Sequence, residues 1–155
     1  MRAWLLILLG SAAGCIAEPG EPPGPGALRI NEVAPAGHPH DWFEVVNTGD
    51  QPIELSDFVF VDRQVDFLRA KRFPEVTLDP GERHVQEVIR IEQGFQLGDT
   101  EALFIYRHDD RVPIDRVAWK KGSAPHRGTY ARLPDARGRF APSRRPTPGD
   151  ENLAH

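Results

Sequence analysis

The chain has 155 residues, a formal net charge of −4 and 39% hydrophobic side chains. That is the length of one domain, and the acidic balance argues against a dedicated nucleic-acid binder, which needs a basic surface. A single cysteine excludes an internal disulfide, while 14 glycines and 15 prolines suit many turns between short strands and argue against a helical bundle.

Met1-Arg2 and the apolar run from Ala3 to Leu9 read as a short export signal, a positive end followed by a hydrophobic stretch. Small residues from Gly10 to Gly14 lead into Cys15. This arrangement resembles the bacterial lipobox, in which the thiol is acylated and the chain is cut just before it. Ala12 stands where that pattern prefers leucine. Residues 1–14 are therefore expected to be a signal peptide, and residues 15–27 the lipid-anchor cysteine with a Pro/Gly-rich linker. The alternative address is a secreted or periplasmic protein, cleaved after Ala13 or Ala17. Ile16 follows the cysteine where inner-membrane retention signals carry aspartate, so the resemblance implies lipid attachment at the outer membrane of the cell envelope. Acyl chains on one thiol hold a domain through about 0.8 kcal/mol per buried methylene. Ala17 to Gly26 reads Ala-Glu-Pro-Gly-Glu-Pro-Pro-Gly-Pro-Gly, and its prolines favour an extended spacer.

Leu28 to Val33 alternates apolar with polar residues up to Glu32, as a half-buried strand does. Asp41 to Asn47 is apolar on both faces, with Trp42 and Val46 on one and Phe43 and Val45 on the other; this predicts a central strand covered on both sides. Asn47-Thr48-Gly49-Asp50 is a turn, and Phe58 to Val61 a compact strand. Val65 to Arg72 reads as a loop with Phe67 and Leu68 tucked inward. Pro74 confines the stretch from Phe73 to Leu78 to a sheet edge. Asp79-Pro80-Gly81-Glu82 is a tight turn, followed by a strand from Val85 to Ile91 with Val85, Ile89 and Ile91 on one side and Val88 opposite. Ala102 to Tyr106 and Val112 to Trp119 form a hairpin through His108-Asp109-Asp110-Arg111. Lys120 to Gly128 is a basic loop, Thr129 to Leu133 a last strand, and from Arg137 onward Arg, Pro and Gly predominate. Short strands with turn residues between them predict an all-β sandwich over residues 28–152.

Several of these pieces together resemble a lamin tail domain. They are Ile30-Asn31-Glu32-Val33, Asp41 to Asn47, Ile53 to Phe58, Phe73-Pro74, Leu78 to Gly81, Phe95 to Gly98, Ile114 to Val117, Arg132-Leu133-Pro134-Asp135, and Thr147-Pro148-Gly149 through Asn152. The resemblance implies an immunoglobulin-like β-sandwich. Ala136 departs from it, standing where a turn glycine is common. Bacterial members of that family look like secreted or surface modules, its nuclear relatives are linked to binding nucleic acid or protein, and no catalytic set belongs to the fold.

The densest group of possible ligands is Glu32, His38, His40, Asp41 and Glu44, which could hold a transition metal or, through carboxylates and loop carbonyls, calcium or another divalent cation. The plainer reading is a polar strand-joining loop, with no cofactor. Glu32 and Glu44 interrupt apolar faces, and an unpaired buried carboxylate is costly; they are expected at strand ends, where water reaches them, or beside an arginine. Ser56, Ser123 and Ser143 lack a nucleophile motif. Charge is uneven: residues 16–106 carry 7 basic and 17 acidic side chains, residues 107–145 carry 11 and 4. Lys120, Lys121, Arg127, Arg137, Arg139, Arg144 and Arg145 could therefore contact a polyanion; otherwise they pair with the acidic half or solvate a flexible tail. The expectation is a non-enzymatic, envelope-anchored binding, adhesion or scaffolding module, with the membrane reached through its N-terminal lipid and an envelope protein or polyanion as partner. The alternatives are a metal-dependent hydrolase or phosphoesterase using His38 to Glu44, and polyanion or nucleic-acid binding through the basic third.

Overall fold

Among the described residues, eleven short strands carry the fold, separated by turns rich in the Gly, Pro, Asn and Asp that the sequence supplies. The computed structural model describes residues 27–62, 67–109 and 112–154; the signal-peptide, Cys15 and spacer expectations fall on residues outside these. The strands are β1 (Leu28–Ala34), β2 (Asp41–Asn47), β3 (Ile53–Glu54), β4 (Phe58–Val61), β5 (Lys71–Arg72), β6 (Thr77–Leu78), β7 (Arg83–Val88), β8 (Glu101–Arg107), β9 (Pro113–Trp119), β10 (Thr129–Leu133) and β11 (Arg139–Ser143). All pairings are antiparallel. One sheet has the order β11-β10-β1-β2-β7, a second the order β5-β4-β8-β9, and β3 pairs with β6 alone.

The two larger sheets enclose one core. Alternation along each strand sends Ile30, Phe43 and Val45 from the first sheet and Phe58, Phe60, Leu103 and Ile105 from the second into it. Phe60 is the aromatic centre, with ring centroids 5.1 Å from Phe43 and 4.9 Å from Phe73, spacings at which edge-to-face pairs add to simple burial. Val59, Val61, Phe104 and Tyr106 point the other way and form a second apolar cluster. The architecture is thus an all-β, sandwich-like arrangement, as the strand pattern predicts. β2 is buried on both faces from Trp42 onward, also as predicted.

Three expectations are corrected. The strand expected from Val85 to Ile91 ends at Val88, and Arg90–Gln93 forms one α-helical turn, α1, closed by Gly94 at φ 77; Gln93 Oε1 takes the Ile89 N–H at 2.7 Å, a group a continuing strand would need. Within β7, Val85 and Val88 take opposite faces as expected, and pairing decides which of them is buried. Val88 pairs with Asp41 and Gln86 with Phe43, so Val88 enters the core while Val85, opposite Glu44, faces outward. Leu68 is not tucked in but 96% exposed, because a single 3-10 turn (Phe67–Arg69) presents one side to the protein and Ala70 occupies the apolar contact. The stretch after Arg137 is no flexible tail. It forms β11 on the edge of the five-stranded sheet, paired from Thr129↔Ser143 to Leu133↔Arg139, and then crosses that sheet's outer face. Arg-Phe-Ala-Pro-Ser is tolerated there because Pro142, which cannot donate to a ladder, sits on an edge strand.

The β10–β11 turn holds Ala136 at φ 57, a left-handed conformation that costs an L-residue about 1–2 kcal/mol. Ala136→Gly removes that strain and keeps the backbone N–H that Asn31 Oδ1 accepts at 2.9 Å. The variant should be more stable by about 0.5–1 kcal/mol in urea unfolding.

Candidate functional site

The five candidate ligands separate in space. Glu32 and Glu44 are cross-strand partners in the middle of β1 and β2 and have 0% exposure, which corrects the expectation of strand ends reached by water. His38 and His40 are exposed on the β1–β2 loop. Asp41 opens β2 and turns to accept the Leu97 N–H at 3.1 Å; burial nevertheless raises its carboxyl above the ordinary aspartate value. His40, Asp41, Arg90 and Gln96 edge an open hollow of about 240 Å³. Among the described residues no three His, Cys, Asp or Glu side chains are grouped to hold a metal ion.

Glu32 and Glu44 instead anchor a segment from Thr147 to Asn152, here called the strap, that lies over β1, β2 and β10. The Thr147 N–H and Oγ1 reach Glu32 at 3.2 and 3.0 Å, and Thr129 Oγ1 donates to the other Glu32 oxygen. The Gly149 N–H donates to Glu44 Oε2 at 2.7 Å, and Asn31 Nδ2 to Glu44 Oε1 at 2.8 Å. Asn152 closes the strap, its Nδ2 donating to the carbonyls of Asn31 and Arg132 and its N–H to Asp135 Oδ1. Arg83 on β7 pairs with Asp135, and its Nε lies 3.7 Å from Glu44, so the arginine expected beside one of these glutamates is present. All four carboxyl oxygens of the two glutamates therefore face donors of the fold itself. Burial raises the affinity of both for a proton, opposed by those donors; Glu44 is pushed up to about 7.

A second buried pair lies on the other side of β1. The ladder breaks between Ile30 and Glu32, and the Ile30 N–H donates to Asp115 Oδ2 at 2.7 Å while its carbonyl accepts from Arg132 Nε at 2.7 Å. Arg132 reaches both Asp115 oxygens at 3.1 Å, donates to Gly138 O and covers the Phe140 ring at 4.6 Å. Burial raises the Asp115 carboxyl, and Arg132 opposes the shift.

The seven basic candidates are exposed but do not form one stripe. The registers of β10 with β1 and β11 place Arg127, Arg144 and Arg145 at the end of the sandwich that carries the β1–β2 loop, here called the distal end. Lys120 and Lys121 join them there, because Trp119 donates to Gly98 O beside Leu97, the partner of Asp41. Arg137 and Arg139 lie at the opposite end, with the β10–β11 turn.

The residues that sequence reading left without a role are the partners: Asn31, Arg83, Thr129, Asp135, Thr147 and Asn152. Four of them belong to the stretches that carry the lamin-tail resemblance, so a signal was present, but their mutual contacts join positions as far apart as Asn31 and Asn152. Compared with family models, curated proteins and solved structures, the chain matches none.

Arg132→Met leaves the Asp115 carboxylate and the Ile30 carbonyl without their partner and should cost about 3–5 kcal/mol in urea unfolding. The double change Asp115→Leu with Arg132→Met should recover part of that loss, since no charge is then stranded.

Proposed function

We propose that this chain is a non-enzymatic binding module, an immunoglobulin-like sandwich of the lamin-tail kind, held at the cell envelope by a lipid on Cys15 and displayed on its Pro/Gly spacer. The observation that carries the reading is the disposition of polar groups. The carboxyls best suited to chemistry have every oxygen turned towards the fold's own donors, whereas His38, His40, Lys120, Lys121, Arg127, Arg144 and Arg145 at the distal end are exposed. A spacer joined to Ala27 meets β1 at the end away from the β1–β2 loop, so the distal loops face away from the anchor and towards a partner. The lamin-tail reading gains support from the bonding of its landmark residues to one another: Asn31, Glu32, Glu44, Arg132, Asp135, Gly149 and Asn152 form one connected set.

The rival, a metal-dependent hydrolase, would need Glu32 and Glu44 beside His38 and His40, and the strap occupies both glutamates. Polyanion binding is the second reading, favoured by the meeting of Lys120, Lys121, Arg127, Arg144 and Arg145 at the distal end; such binding should weaken steeply as salt is raised, because neutralised phosphates release counterions.

Mass spectrometry of the mature chain should find an acylated N-terminal Cys15, and Cys15→Ser should move the protein from the membrane to the soluble fraction with its fold unchanged. An unmodified N-terminus at Ile16 or beyond ends the lipid-anchor reading.

A further inference from the structure

The hydrogen bonds that hold the strap can be assigned one proton at a time. Asn152 Nδ2 lies 3.1 Å from Asn31 O and 3.2 Å from Arg132 O. Two carbonyls are satisfied together only by an amide NH₂, so both of its protons are used and Oδ1 is the atom facing Thr147. Thr147 Oγ1 lies 2.8 Å from that Oδ1. An amide oxygen only accepts, so the threonine proton goes there. Thr147 Oγ1 also lies 3.0 Å from Glu32 Oε2, and a hydroxyl has one proton to give. This second contact is a hydrogen bond only if its proton comes from Glu32.

Glu32 also accepts the Thr147 N–H, at 3.2 Å on Oε2 and 3.3 Å on Oε1, as a protonated carboxyl still can; Glu44 differs in meeting no hydroxyl whose proton is already committed elsewhere. Asn31 Oδ1 accepts the Ala136 N–H, which fixes its amide, and the two Nδ2 protons go to Glu44 Oε1 and Asp135 Oδ1 at 2.8 and 2.9 Å. Glu44 Oε2 accepts from Gly149 at 2.7 Å. Every neighbour of Glu44 donates, so a proton on it would meet another proton.

We infer that the strap is a proton-dependent clasp: when it is closed, Glu32 is a neutral acid that donates from Oε2 to Thr147 Oγ1, Glu44 beside it is ionised, and loss of the Glu32 proton loosens Thr147–Asn152. The charged groups facing this pair fit the assignment. Arg83 from β7 is engaged with Asp135 and Glu44. Asp135, from the turn after β10, adds negative charge, and the strap's own Asp150 and Glu151 are exposed. Asp115 and Arg132, behind β1, close on each other. No described cation is thus aimed at Glu32, and a second negative charge beside Glu44 would go uncompensated. Burial raises both carboxyls, and Glu44, pushed up to about 7, the further. The two adjacent groups share one proton uptake, and the hydrogen-bond geometry, which gives Glu44 only donors, places that proton on Glu32. The sign follows directly. The closed strap binds one proton more than the open one, so closure is favoured at acid pH and weakens as pH rises through the range in which the open state has released that proton and the closed state has not.

The test is NMR on the full chain, reading side-chain carboxyl ¹³C shifts and amide exchange. At about pH 6, above the ordinary glutamate range, Glu32 should show the shift of a neutral acid and Glu44 that of a carboxylate. Protection of the Thr147 and Gly149 amides should fall about tenfold per pH unit as pH approaches the Glu32 titration, then level off. Glu32→Gln supplies an NH₂ for Thr147 Oγ1 and an oxygen for Thr129, so it should keep the strap protected and abolish that slope. Glu44→Gln sets an NH₂ against donors and should lower protection at every pH. An ionised Glu32 beside a protonated Glu44, or Glu32→Gln loosening the strap as far as Glu44→Gln does, overturns the assignment. If either variant fails to fold, the wild-type carboxyl shifts decide alone.

Discussion

The break in β1 between Ile30 and Glu32 is the constraint around which the buried polar structure is arranged. A bulge leaves backbone groups that the sheet ladder does not satisfy, and these lie at 0% exposure, where an unmade hydrogen bond costs about 1–3 kcal/mol. Asp115 from β9 and Arg132 from β10 take the Ile30 N–H and carbonyl, which ties the four-stranded sheet to the five-stranded one. On the other side of the strand, the Asn31 carbonyl and the Glu32 carboxyl are met by the strap. Three residues therefore gather partners from β9, β10, the turn after it and the C-terminal segment.

This arrangement explains how two glutamates can lie inside an otherwise apolar strand pair. Each would be expensive alone. Together, roofed by a segment that presents the Thr147 and Gly149 N–H groups, they become the attachment points of that roof. The strap completes burial of the outer face of β1 and β2, so residues after β11 belong to the domain as fully as its strands do. Removing the chain beyond Arg137 would delete an edge strand and the roof together, a disruption of the fold rather than the trimming of an appendage.

The same geometry sorts the surface into two ends. At the end where β1 begins, Arg83, Asp135 and the β10–β11 turn are drawn into the network. The distal end carries the β1–β2 loop with His38 and His40, and the loop and chain segments with Lys120, Lys121, Arg127, Arg144 and Arg145. Loops freed from holding the fold are where recognition is most readily built.

Much of the fold was legible from local pattern. Period-two alternation and turn residues located β1, β2, β4, β8, β9 and β10, because those strands bury one or both faces and their side chains must obey that alternation. Which face of β7 enters the core and the exposure of Leu68 were not legible; each depends on which neighbour a short segment meets, and Val85 and Val88 are equally apolar until pairing with Glu44 and Asp41 assigns their sides. β11 was hidden because Arg-Phe-Ala-Pro-Ser has the composition of a tail and becomes a strand only beside β10. Glu32, Glu44, Arg132, Asp135, Thr147 and Asn152 stand in the stretches that resemble a lamin tail, and of these only the two glutamates, with His38, His40 and Asp41, suggested a ligand site. Only the tertiary structure decided that they are one another's ligands, because a hydrogen bond between Asn31 and Asn152 has no counterpart in local sequence. The sequence by itself determined strands, turns and which groups would be costly to bury; the packing of distant segments decided who satisfies them.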